Sequence, residues 1–254
     1  MKNNLINQKA LIQYAESIDI EEKIFFLTTA DILQVDPIYN GSNYVFLVLL
    51  ENTDLNKFLA VYKPMDGLRD LYDFNTDTLP TRELAAFKLD QILEWGIIPP
   101  MIIRDGPYGL GSFQEYIYHD TDKNYFHFIE HSINHESLLK LAIFDIIINN
   151  ADRKGGHIIQ DSNDKIWGID NALSFHYEEK LRTVIWDFAE NRISNNLLSD
   201  LKKLNKEIQS DQCELVKLLN YQEILSLKTR IEKLIDNPVL PNIYPWRCWP
   251  LPLI

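Results

Sequence analysis

With 254 residues, 46% of them hydrophobic and 24% charged, the chain has the make-up of one generous globular domain or two packed lobes, which excludes disorder and fibrous repeats. Twenty-five Lys and Arg against 37 Asp and Glu leave a net charge of −12, which argues against nucleic acid and anionic lipid surfaces as partners. Cys213 and Cys248 form no C-x-x-C pair, and no apolar leader follows Met1. The longest apolar run, Leu141–Ile148, is broken by Asp145 and too short to span a bilayer, so a cytoplasmic protein without stable membrane association is expected.

In chain order, residues 5–16 carry a helical pattern, and Ile24–Leu27 and Tyr44–Leu50 read as strands rich in β-branched and aromatic residues. The polar stretch 51–56 is turn-like and Phe58–Tyr62 resumes a strand, so 44–63 is expected to form an antiparallel hairpin closed by Lys63. Pro80 and Thr81 open a helix with Glu83 in its first turn, stopped at Gly96. Residues 97–111, punctuated by Pro99, Pro100, Gly106, Pro107, Gly109 and Gly111, are expected to be a loop leading into a last strand, 112–117. A lobe boundary falls near 116–120, dividing 1–116 from 117–254.

Beyond it the spacing predicts a strongly apolar helix over 136–149, a polar loop at 150–156, and two short strands at 157–160 and 165–169. Residues 195–236 are Leu-, Lys- and Glu-rich with helical spacing and end at Asn237-Pro238. The segment 238–254 carries five prolines and is expected to lie extended against the body. His127, His131 and His135 recur at helical spacing but lack a carboxylate or cysteine to complete a metal set, so a solvated face is expected there. Trp186, Trp246 and Trp249 are read as packing residues rather than a substrate shelf. Neither a G-x-S-x-G elbow nor a Walker A motif is present.

The chemistry concentrates between Asp145 and Asn171. Asp152 and Asp170, eighteen positions apart, sit in loops flanking the expected small hairpin. Phosphoryl transfer needs one carboxylate to orient or deprotonate the acceptor and another to hold Mg²⁺ on the nucleotide phosphates, both fixed by a rigid element. The N-terminal half supplies a strand lysine, Lys63, and a helix glutamate, Glu83, the pairing in which a lysine reaches phosphates and a glutamate holds it. Gly41-Ser42-Asn43, before the first hairpin strand, is a weaker candidate for backbone contacts to phosphate, since a Gly-Ser turn is also an ordinary strand entry.

The runs Asn150–His157 and Ile169-Asp170-Asn171-Ala172 resemble the catalytic loop and metal-binding motif of the phosphatidylinositol 3/4-kinase-like group, whose bilobal fold is shared by HipA-type kinases. Together with Arg104–Pro107, Gly109, Gly111, Gln114 and Lys180–Val184 with Trp186, they are similar to a small family of bacterial proteins of this class, over about residues 40–254. The resemblance implies an α+β, bilobal protein-kinase-like fold with a sheet-rich N-lobe and a helical C-lobe. It implies Asp152 as the catalytic aspartate, Asp170 as the main Mg²⁺ ligand, and Lys63 as the phosphate-binding lysine with Glu83 its partner. Gln114, Glu115, Tyr116 and Ile117 would form the hinge that meets adenine.

His157 stands where the resembled kinases have an asparagine ligand, and it is either a metal ligand, which would tolerate Mn²⁺ better than Mg²⁺, or scaffold. Asn150 and Asn171 remain alternative polar ligands. Arg153, grouped with the catalytic residues, is expected to brace the loop, with Asp145 and Asn149 holding it from the preceding helix. The expected activity is transfer of the ATP γ-phosphate to a hydroxyl of a protein or small molecule. The alternatives are AMP transfer from the same pocket, or a nucleotide-binding module without turnover.

Overall fold

The computed structural model describes residues 2–38, 44–67, 71–210, 212–243 and 247–254. The elements are α1 (Lys2–Ser17), α2 (Ile20–Thr29), β1 (Asp31–Ile38), β2 (Val45–Glu51), β3 (Lys57–Pro64), α3 (Leu79–Leu93), β4 (Met101–Gly106), β5 (Gly109–Glu115), α4 (Tyr125–Phe128), α5 (His135–Ile148), β6 (Ile158–Gln160), β7 (Ile166–Gly168), α6 (Asn195–Glu207), α7 (Leu215–Leu218) and α8 (Tyr221–Asp236). They group into two compact units, Met1–Pro80 with Pro99–Tyr118, and Thr81–Ile98 with His119–Ile254. The grouping is discontinuous, in contrast to the single cut expected after residue 116. No helix among the described residues is long and apolar enough to cross a membrane.

The first unit is an antiparallel five-stranded sheet in the order β1-β2-β3-β5-β4, with α1 packed on β3 and α2 on β4 and β5. Strand alternation explains which residues go inward. Val48 and Leu50 on β2, and Phe58, Ala60 and Tyr62 on β3, are buried with Phe113, Phe26 and Leu27, and Tyr14 and Ile18 close the cluster. The β2–β3 hairpin pairs Glu51 with Lys57, and Asn52 Oδ1 organises its loop by accepting from the Asp54 and Asn56 amides at 3.1 and 3.0 Å.

Three sequence expectations fail in this unit. Ile24–Leu27 is helical: Asp19 and Glu22 form a reciprocal capping box, and Phe26 and Leu27 are buried while Phe25 is 69% exposed, a helical rather than an alternating pattern. β1 and β4 were not expected. Both are edge strands, so neither carries a continuous apolar run, and β1 tolerates Pro37 because its outer side needs no ladder donor. The Gly106–Gly109 pair closes the β4–β5 hairpin where the prolines suggested loop.

The second unit contains α3 for a physical reason. Trp95, just beyond that helix, donates to Asp200 at 2.9 Å, Arg82 pairs with Glu223 in α8, and the Gly168 amide of β7 donates to the Ile97 carbonyl at 2.8 Å. α5 is apolar on nearly every side and packs against β7 and α8, while α6 and α7 also pack on α8. The helical stretch 195–236 is three helices rather than one. His127, His131 and His135 do not share a helix face: they lie on α4, on the turn between α4 and α5, and at the start of α5.

Within this unit Asp90 caps the bend after α3, accepting from the Ile98 amide at 3.0 Å. Burial pushes its carboxyl up to about 6, with the Ile98, Ile97 and Gly96 amides and the Lys165 ammonium offsetting part of the rise. Because the folded value exceeds the unfolded one, the stabilisation linked to this proton is complete below about pH 4 and disappears as pH rises through about 6. Asp90→Asn keeps an acceptor for Ile98 without a charge. Urea titrations from pH 4 to 7 should show the variant gaining on the order of 2 kcal/mol relative to the parent across that window.

Candidate active site

α5 ends where Asn149 takes a left-handed conformation (φ 56°, ψ 53°), its amide reaching back to the Asp145 and Ile146 carbonyls. The buried Asn149 side chain donates to the His176 and Glu178 carbonyls at 2.9 and 2.6 Å and accepts from the Lys180 amide at 2.9 Å. The next residue sets the turn: Asn150 Oδ1 accepts from the Asp152 amide at 2.9 Å and its Nδ2 donates to Asp145 at 3.2 Å. The Ala151 amide donates to the Leu173 carbonyl at 2.8 Å, which ties this turn to the loop after Asp170.

Arg153 is fully buried, so it braces rather than touches a substrate. Its Nε donates to both oxygens of the equally buried Asp145 at 3.0 and 3.1 Å, its Nη1 to the Ile169 carbonyl at 2.7 Å, and its Nη2 to Asn171 Oδ1. Burial pushes the Asp145 carboxyl up, while Arg153, Thr183 and Asn150 pull it back. The main chain of Arg153 also pairs on both sides, donating to the Arg182 carbonyl at 2.9 Å and accepting from the Val184 amide at 3.1 Å. Thr183 Oγ1 donates to Asp145 at 2.9 Å.

Two carboxylates stand out from this frame toward solvent. Asp152 pairs with Lys154 Nζ at 2.9 Å with its side chain 27% exposed, and Asp170, 47% exposed, lies 3.4 Å from His157 Nε2. Asp170 adopts φ 58°, an uncommon conformation that Asp accepts more readily than most residues. Burial holds the His157 imidazole below its ordinary value, with Asp170 pushing the other way. The pair offers one nitrogen and one oxygen donor, a set that suits a borderline ion such as Mn²⁺ better than Mg²⁺, but among the described residues no group of three or more His, Cys, Asp or Glu side chains forms a metal site. Asn171 is committed to Arg153 and to the Gly168 carbonyl, and Asn150 to Asp145 and Asp152, so neither alternative ligand is set up for metal.

The remaining expected site residues lie on other elements. Lys63 lies on β3 opposite Ser112 in the first unit, and Glu83 lies on α3 in the second. Gln114 and Glu115 end β5, and the Glu115 carboxylate pairs with Lys23 at 2.7 Å. The Glu115 and Tyr116 amides donate to the Pro100 and Leu59 carbonyls at 2.8 and 3.0 Å. Those two amides are thus used within the first unit. Gly41, Ser42, Asn43 and Trp246 lie outside the described residues. Trp186 is buried with Leu181 and Cys248 and packs edge-on to Trp249.

Sequence reading missed Lys154 and Thr183. Lys154 lies two residues after Asp152, a spacing that lets its long side chain return to the carboxylate. Thr183 lies in the Lys180–Val184 run, whose similarity to relatives was visible while its role was not.

No family model matches the chain. Protein Rv2133c of Mycobacterium tuberculosis is 32% identical over 251 residues, covering 85% of this chain and 90% of that protein. The chain belongs to the Rv2133c family. Among solved structures, the Golgi casein kinase superposes with a TM-score of 0.52 at 14% identity, covering 85% of this chain and 73% of that one. The same kinase with Mn/ADP bound gives 0.50 at 14% identity, over 85% and 74% of the two chains. Hydra Fam20 with sugar gives 0.50 at 17% identity, over 85% and 87%. This member of the Rv2133c family therefore has a kinase-like α+β fold.

The brace has a measurable consequence. Asp145→Leu strands a buried guanidinium and Arg153→Met strands a buried carboxylate, and each should lower unfolding free energy by about 3–5 kcal/mol in urea titrations. The double variant should lose clearly less than the sum of the two, because neither charge is then left alone.

Proposed function

We propose that the protein is an ATP-dependent phosphotransferase that moves the γ-phosphate to a hydroxyl of a protein or small-molecule acceptor. The observation that carries this is the presentation of Asp152 and Asp170, on two loops locked together by one buried arginine, within a kinase-like fold. The resemblance of the runs Asn150–His157 and Ile169–Ala172 to their motifs supports a finer placement near the phosphatidylinositol 3/4-kinase-like and HipA-type kinases. The reducing cytoplasm is the proposed setting.

Asp152 receives the proton of the acceptor hydroxyl as its oxygen attacks the γ-phosphorus and the bond to the ADP oxygen breaks. Lys154, 2.9 Å from Asp152, supplies a cation close to the charge that shifts onto the transferring group. Asp170 and His157 would hold the divalent ion, with Mn²⁺ favoured by the imidazole donor, and the neighbouring structure with Mn/ADP bound is consistent with that choice. When bound, that ion neutralises the nucleotide phosphates. Lys63 is the proposed phosphate-binding lysine of the first unit.

Asp152→Asn should reduce transfer from γ-labelled ATP by about 100-fold or more while leaving nucleotide affinity nearly unchanged. Asp170→Asn should lower calorimetric affinity for ATP in the presence of Mn²⁺ or Mg²⁺ but not in chelator. Full transfer by either variant contradicts the assignment, and label transferred from the α-phosphate instead shows AMP transfer.

A further inference from the structure

His157 follows two glycines, Gly155 and Gly156, and the three residues form one short 3-10 turn. Two consecutive glycines give a turn little stiffness of its own, since each has the widest choice of backbone conformation. The turn is held from outside. The Gly155 amide donates to the Leu253 carbonyl at 2.7 Å. A side-chain carbon added at Gly155 would lie 3.1 Å from the Phe126 ring and 3.4 Å from that carbonyl, and one at Gly156 would lie 3.9 Å from the Ile254 side chain. The segment after Arg247 thus lies directly against the turn that carries His157.

The two ends of this segment are attached very differently. Cys248 is buried with Leu181 and Trp186, and its carbonyl accepts from the Thr183 amide at 3.1 Å and from Trp186 Nε1 at 3.3 Å. Beyond it Leu251, Leu253 and Ile254 are 66%, 40% and 64% exposed. One end is set in the core of the unit, while the other rests on the turn through a backbone hydrogen bond and half-exposed aliphatic contact. An attachment of that kind can detach while the anchor stays in place.

We propose that residues 251–254 are a releasable clamp on the Gly155–His157 turn, whose docking sets His157 beside Asp170 and so controls metal-dependent nucleotide binding. The turn passes any movement on, because the His157 carbonyl accepts from the Ile169 amide at 2.9 Å, immediately before Asp170. The control of binding rests on the assignment of Asp170 and His157 as metal ligands, whereas the clamp on the turn does not.

The test compares the full chain with a variant ending at Pro250, which keeps the Cys248 anchor and the buried Pro250. Without metal, amide exchange at Gly155–His157 should quicken about ten-fold or more in the shortened protein while α5 and α8 keep their protection. Affinity for ATP with Mn²⁺ should fall by a similar factor. The full-length variant Leu253→Ser/Ile254→Ser, which keeps the chain but weakens the aliphatic contact, should behave the same way to a smaller degree. Unchanged exchange at the turn overturns the proposal, as does loosening that extends to α5 and α8 in both variants, or faster exchange with unaltered affinity. Absence of Mn²⁺-dependent ATP binding in every protein overturns the metal assignment, and the exchange comparison then decides the clamp by itself.

Discussion

The buried ion pair between Arg153 and Asp145 organises the candidate site in the second unit. Arg153 and Asp145 are both removed from water, which is costly for each charge and tolerable only if the geometry is good and the remaining donors are filled. They are filled: one guanidinium reaches the helix α5, the carbonyl just before Asp170, and Asn171 in the following turn, while Thr183 and Asn150 complete the carboxylate. A lysine has no planar fork with which to make these contacts at once. Three stretches of the chain, 145–153, 169–171 and the one around Thr183, are thereby held in register, and the exposed carboxylates Asp152 and Asp170 inherit their positions from it.

The division of labour follows from solvent exposure. Groups that fix geometry, Asp145, Asn149, Asn150, Arg153, Asn171 and Thr183, are buried and committed to protein partners. Asp152 and Asp170 keep contact with solvent, and Lys154 beside the first and His157 beside the second are side chains of a kind that can meet phosphate or metal. Preorganised charge in such a frame need not rearrange during the reaction. The His157 side has the weaker internal support because of the glycines that precede it, and this is where the segment 251–254 adds its contact.

Much of this was legible in the sequence, for identifiable reasons. The hairpin β2–β3, helix α5 and hairpin β6–β7 announce themselves because their apolar residues recur with an unbroken period between turn formers. Asp145 stood out as a charge inside an apolar helix, and its burial against Arg153 accounts for it. What stayed hidden has a common cause in packing between distant segments. The strands β1 and β4 are edges that need no apolar run, Ile24–Leu27 owes its helix to a capping box that a β-rich composition masked, and α3 joins the second unit through contacts with residues more than a hundred positions away. Thr183 and Leu253 act on the site from afar in the chain, and no local pattern marks them.

Crystals grown with Mn²⁺ and a non-hydrolysable ATP analogue, measured for manganese anomalous scattering, test the site most directly. A manganese peak bound by the Asp170 carboxylate and the His157 imidazole, with the terminal phosphate of the analogue facing Asp152, is the expected result. Manganese and nucleotide located away from Asp170, or a site in which His157 remains turned from the metal, would contradict it.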